Sequence, residues 1–160
     1  MQEGYAAIGR AVVTAQMFET ALVPIYEIFK IHAEPDYREQ TGGHVREEMF
    51  KLPVTAIVKA LANKGGIAPD LESRLQKYAA DRHTLIHRWV REHGWPDDRD
   101  VDGFRPIVAL AADVQQQAVD LTRLLVGYVL KYADPDWARE HMSEYRERMA
   151  SLFHRAHLEE

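Results

Sequence analysis

Residues 71–90 read LESRLQKYAADRHTLIHRWV, and the spacing of their apolar side chains decides the fold. Counted at about 100° per residue, Leu71, Leu75, Tyr78, Ala79, Leu85, Ile86, Trp89 and Val90 form one broad stripe. That pattern predicts an amphipathic helix with one face on a core. Arg82 falls at the centre of the stripe, and His83 and His87 sit at its edge, about 100° and 140° round from Arg82. A guanidinium keeps its charge in any protein setting. Held in an apolar seam, it needs a carboxylate, a phosphate or a water-filled cleft beside it.

The same three-four spacing recurs on both sides of this segment, and no stretch alternates convincingly with period two. A first helix is predicted over residues 5–29, where Ile8, Ala11, Ala15, Phe18, Leu22, Ile25 and Phe29 repeat as in bundle packing. Pro24 should kink or tighten this helix without ending it, because the pattern continues past it. A polar connector is expected over residues 32–44, with Pro35 and Gly42-Gly43 as breakers. A second helix fits residues 53–63, or starts near Val45, and stops at Gly65-Gly66. The third runs over residues 70–93, with Pro69 before it and Gly94 closing it. Residues 94–106 are the least helical. A fourth helix follows over residues 106–133, and Asp134-Pro135 opens a fifth over residues 136–157. The expectation is one all-α domain over residues 1–160, an up-down bundle of four to five helices. The fifth helix either completes the bundle or builds a contact between copies.

Bulk properties narrow the functional classes. With 160 residues, 46% hydrophobic and 28% charged, the chain can bury a core without covalent staples. It has no cysteine, which removes disulfides, thiolate metal sites and a cysteine nucleophile and is compatible with a reducing cytoplasm. No apolar run is expected to reach the length of a membrane span, and no signal-peptide pattern is visible, so a cytoplasmic protein without a membrane partner is the expectation. A net charge of −5 argues against non-specific coating of duplex nucleic acid. Positive charge is nevertheless concentrated locally: residues 82–91 hold three arginines, two histidines and no acid. A solvated helix face explains Arg88 and Arg91, but not Arg82.

A partner for Arg82 is suggested by Glu19, which lies inside the apolar stripe of the first helix between Val12 and Ile8 on the wheel. A carboxylate in one seam and an arginine in another predict a buried pair. The competing reading has Glu19 at the margin of its stripe, reaching out to water.

Arg82-His83-Thr84-Leu85-Ile86-His87 resembles the signature of HEPN domains, helical bundles in which an arginine followed by Asn, Asp or His precedes a histidine by four to six intervening residues. Arg38 with His44, Arg88 with His93, and Arg148 with His154 share that spacing. Of these four copies, only that of Arg82 has Asn, Asp or His directly after the arginine and lies mid-way along a strongly amphipathic helix. A long first helix with an embedded glutamate, the motif in the third helix and further helices behind it extend the likeness along the chain. The resemblance implies a metal-independent endoribonuclease, without cofactor, in which motif helices of a homodimer line one cleft around RNA. His87 would take the proton from a ribose 2′-hydroxyl or protonate the leaving 5′-oxygen, and imidazole, with an unperturbed pKa near 6.5, suits either task. Arg82 would neutralise charge growing on the phosphorane, His83 would orient phosphate or substrate, and Arg88 and Arg91 would track the RNA backbone. With the two side chains about 140° apart on a regular helix, a two-fold axis beside the helix would complete the site. The resemblance also implies a toxin, phage-defence or RNA-turnover role, with an antitoxin or other regulatory protein as partner. In members silenced by a nucleotidyltransferase antitoxin, a tyrosine two positions after the histidine is modified; Trp89 stands there in this chain. Trp89 itself reads as core. The alternative is a non-catalytic helical dimer that binds RNA, nucleotide or a partner protein through the same groove, with His83 and His87 as edge-of-core histidines.

Two metal readings compete with this one. His83 and His87, four apart, have zinc-ligand spacing, but Arg82 beside them repels a cation and no His-Glu-x-x-His or Glu-x-x-His occurs. Asp98, Asp100 and Asp102 with Gly103 match the front of a calcium loop, although Pro106 and Ala109 occupy the ninth and twelfth positions. Carboxylates before a helix N-terminus account for the same residues through the helix dipole.

Overall fold

A computed structural model describes residues 2–42, 44, 46–63, 69–97, 99–133, 136, 140–141 and 143. Helix α1 spans Gln2–Ala33 and passes through Pro24 without a break. It is followed by α2 (Pro35–Thr41), a 3-10 turn (Glu47–Lys51), α3 (Val54–Asn63) and α4 (Pro69–His83). A π turn (Thr84–Arg88) joins α4 directly to α5 (Trp89–His93), and α6 (Val101–Ala133) is the last described helix. The fold is an all-α helical bundle, with no strand among the described residues.

The two longest helices form its spine. Their facing stripes place Ala11, Ala15, Phe18 and Leu22 of α1 and Ile107, Ala111, Val114, Ala118, Leu121 and Leu125 of α6 in the core. Alanines at four of those positions let the backbones approach closely. Gly4 does the same at the far end, where a Cβ would come within 3.0 Å of the Phe104 ring. Leu71, Leu75, Tyr78 and Leu85 from the α4 run, and Ile57, Val58 and Leu61 from α3, close the core over this pair. The rotation of α4 against α6 is fixed by Gln117, whose Nε2 donates to Asp81 Oδ2 at 2.7 Å.

Three stretches differ from the sequence expectation. Residues 32–44 are not a plain connector, because α2 lies within them. Pro35 opens that helix, and Gly42 closes it in the left-handed conformation at φ 60°. Residues before Val54 form the 3-10 turn and do not extend α3. Helix α6 starts at Val101, five residues before Pro106, because Asp100 Oδ1 accepts the Gly103 N–H at 2.8 Å and caps the first turn. The expected fifth helix, residues 136–157, lies almost wholly outside the described residues, as does the Gly65-Gly66 stop.

One buried polar cluster ties the α2 region to the spine. Glu27 is fully buried on α1, with Lys30 Nζ 3.0 Å from its Oε1. The Tyr37 hydroxyl donates to Glu27 Oε2 at 2.6 Å and accepts from Arg46 Nη2 at 2.8 Å. Lys30 Nζ also lies 3.8 Å from the centroid of the Tyr37 ring. Burial works against the Lys30 charge, but the contacts with Tyr37 and Glu27 outweigh it and hold its pKa above the ordinary value of 10.5.

Against the sequence expectation, residues Glu3–Ile31 are long and apolar enough to span a bilayer, with mean hydropathy 1.2 in the best window. Two of its acidic residues, Glu19 and Glu27, are each paired within the bundle. Of that window 44% is buried in the protein, and a bundle's core helix meets the same length and composition test.

Candidate active site

Arg82 and Glu19 meet. Arg82 Nε approaches Glu19 Oε1 to 2.8 Å, and Nη2 donates to Glu19 Oε2 at 3.2 Å. The shorter contact is a charge contact only, since Nε and Oε1 are out of line for a hydrogen bond. The two side chains are 28% and 26% exposed. The pair is therefore half-buried at the mouth of a cleft, neither sealed in the core as the wheel suggested nor loose in solvent.

The π turn changes the geometry of the motif. Its hydrogen bond runs from the Trp89 N–H to the Thr84 carbonyl, five residues back, and such a widened turn brings side chains five apart toward one side of the helix. Arg82 Nη1 consequently lies 3.4 Å from His87 Nε2, where a regular helix would hold them about 140° apart. One helix therefore brings both side chains to one point, where the regular-helix count set them apart. His83 joins them, its ring centroid 5.2 Å from that of His87. Both histidines are exposed. The extra residue in the turn also shifts the phase of everything after it, so Val90, expected in the apolar stripe, is 59% exposed.

Arg82 and His83 form one wall of a cleft of about 690 Å³ bounded by α1, the 3-10 turn, α3 and α4. Its floor includes Tyr78, fully buried, with its ring edge-on to Phe18. Burial pushes the Tyr78 phenol far above its ordinary pKa of 10.0; Glu19 adds to the shift and Arg82 opposes it. Above about pH 10 an unfolded chain would lose this proton while the folded one keeps it, so stability falls as pH rises past that value. Tyr78→Phe should remove this component. In urea unfolding at pH 8 and pH 11, the stability difference between wild type and variant should shift toward the variant at the higher pH. Parallel pH dependence would count against a protected phenol.

The remaining predicted site residues are separate from this cluster. Arg88 and Arg91 are exposed and both lie near Glu92, at 3.8 and 3.4 Å, as a solvated face requires. Trp89 packs on the core with its ring 4.4 Å from that of His93. Asp100 caps α6, and Asp102 lies 3.2 Å from Arg105. Asp98 is outside the described residues, among which no group of three or more His, Asp or Glu side chains is placed to hold a metal. Sequence reasoning missed Gln16, Thr20, Phe50, Leu52 and Thr55, which line the cleft together with Arg82 and His83. Gln16 and Thr20 were legible as polar neighbours of Glu19 on the α1 wheel; the others lie where a connector or helix start was expected.

No protein-family model, curated protein or solved structure matches this chain.

Proposed function

We propose that this chain is a HEPN-type, metal-independent endoribonuclease acting as a cytoplasmic homodimer. The observation that carries the reading is the 3.4 Å approach of Arg82 Nη1 to His87 Nε2 across the π turn, with Glu19 holding the other side of the guanidinium. A phosphate oxygen between these two nitrogens would meet donors from both when the imidazole is protonated. In the reaction, an imidazole removes the 2′-hydroxyl proton, the 2′-oxygen bonds to phosphorus, and the P–O5′ bond breaks as a second imidazole returns a proton to the 5′-oxygen. His87 is the group next to the phosphate. His83 and the histidines of a second copy are the candidates for its counterpart. Arg82 stabilises the phosphorane. An exposed, uncharged stretch of α1 carrying Val13 and Met17 offers an apolar surface for a contact between copies. With Trp89 after the motif, control by a protein antitoxin would not run through modification of a hydroxyl at that position.

The test is RNA cleavage in the presence of a chelator, with wild type, Arg82→Ala and His87→Ala. The expected products are 2′,3′-cyclic phosphate and 5′-hydroxyl ends, absent from both variants. Cleavage that survives both substitutions rejects the assignment. RNA binding without cleavage moves it to the non-catalytic dimer, and activity abolished by chelation moves it to a metal site.

A further inference from the structure

The cleft beside Arg82 has a chemical character that the motif does not explain. Its far lip is apolar and uncovered: Phe50 is 48% exposed and Leu52 38%. Between lip and motif lie Gln16, Thr20 and Thr55, neutral groups that can donate and accept. The Thr20 hydroxyl donates to the Gln16 carbonyl at 2.8 Å, which leaves its acceptor capacity for a ligand. The Gln16 amide and Thr55 hydroxyl make no hydrogen bond among the described residues. Arg82 is the lining arginine and Glu19 the lining carboxylate, and each offsets the other.

The body of the cleft is thus neutral, with an aromatic edge, a few polar groups and one guanidinium corner at Arg82, beside the His83 ring. Its volume falls within the range of roughly 300–1,000 Å³ usual for small-molecule sites. An alkyl chain would bury Gln16, Thr20 and Thr55 without partners, and a polyanion would lack a second cation. A flat, neutral heteroaromatic ring joined to one phosphate satisfies every wall. We infer that the cleft is a base-binding subsite, in which Phe50 stacks on the nucleobase adjoining the cleaved phosphate and Gln16, Thr20 and Thr55 contact its edge. Single-stranded RNA is commonly read in this way, by stacking on aromatic side chains and hydrogen bonds to base edges, while phosphate contacts only set position. The inference rests on the ribonuclease reading for the identity of the phosphate, but its test does not depend on turnover.

The four nucleoside 5′-monophosphates and inorganic phosphate are titrated into wild type, Phe50→Ala, Phe50→Trp and Gln16→Ala by calorimetry. Cleavage of four RNAs differing only at the nucleotides flanking one site is measured alongside. Phe50→Ala should weaken mononucleotide binding by roughly 5- to 150-fold, the usual worth of one stacked base, and leave inorganic phosphate binding unchanged. Phe50→Trp should restore binding, and Gln16→Ala should flatten the preference among the four bases. Phe50 lies at the surface, so its removal leaves the core intact, which an unchanged melting temperature checks. Cleavage and mononucleotide binding both indifferent to Phe50 overturn the subsite while leaving the nuclease reading standing. Phe50-dependent mononucleotide binding without any RNA cleavage retains the subsite and rejects the nuclease.

Discussion

His87→Ala is expected to lower the rate of RNA cleavage at saturating substrate by about 10²–10⁴-fold, the usual contribution of a positioned general acid or base. His83→Ala should cost about tenfold or less. The two imidazoles look alike in the sequence, and what separates them is the π turn. It rotates His87 back until Nε2 lies 3.4 Å from Arg82 Nη1, whereas His83 has its ring against that of His87. A phosphate bound by Arg82 is therefore within reach of His87 first. Glu19→Gln keeps an acceptor for the guanidinium but removes the charge that anchors it, so its effect should fall between those of the two histidine variants and appear mainly in kcat. Added imidazole should partly restore His87→Ala, because the cavity left by the ring opens directly to solvent at an exposed position. Equal losses in the two histidine variants, or a loss of less than twofold in His87→Ala, would remove His87 from the chemistry.

How much of this was legible in the sequence depended on whether a signal survives uniform helical counting. The Glu19–Arg82 pair was legible because each residue interrupts an apolar stripe, and a permanent charge in such a stripe demands a counter-charge. The contact of Arg82 with His87 was not. Nothing in Thr84-Leu85-Ile86-His87-Arg88 breaks a regular helix, so a count at constant angle misplaced His87 and carried the same phase error into Val90. Helix α2 was hidden differently. At seven residues it is too short for periodicity, and Pro35 and Gly42, breakers by residue type, are its first residue and its C-terminal cap. The start of α6 turned on Asp100 as cap rather than Pro106 as first residue. The far wall of the cleft, built by the 3-10 turn and the start of α3, came from a stretch whose apolar residues have no helical period of their own.

Glu27→Ala is expected to destabilise the bundle by about 3–5 kcal/mol, the cost of removing one partner from a buried ion pair. Glu27 is fully inaccessible and Lys30 is 7% exposed, so the substitution leaves an ammonium group in the core with only the faces of Tyr26 and Tyr37 beside it. The Tyr37 hydroxyl would also lose its acceptor. The cost therefore has two parts, which further variants separate. Tyr37→Phe removes one hydrogen bond to a charged group and should cost about 1.5–3 kcal/mol. Glu27→Met with Lys30→Met removes both charges at similar volume and should recover most of the loss, since apolar substitutes for a buried pair are often neutral or stabilising. Urea unfolding with a shared slope measures all three. The Tyr37 bond, through Arg46, is also what fastens the approach to the 3-10 turn onto α1, so Tyr37→Phe should loosen Phe50 and weaken mononucleotide binding in a protein that still folds. If Glu27→Ala unfolds within about 0.5 kcal/mol of wild type, Lys30 must reach solvent, and the cluster does not pin the wall of the cleft.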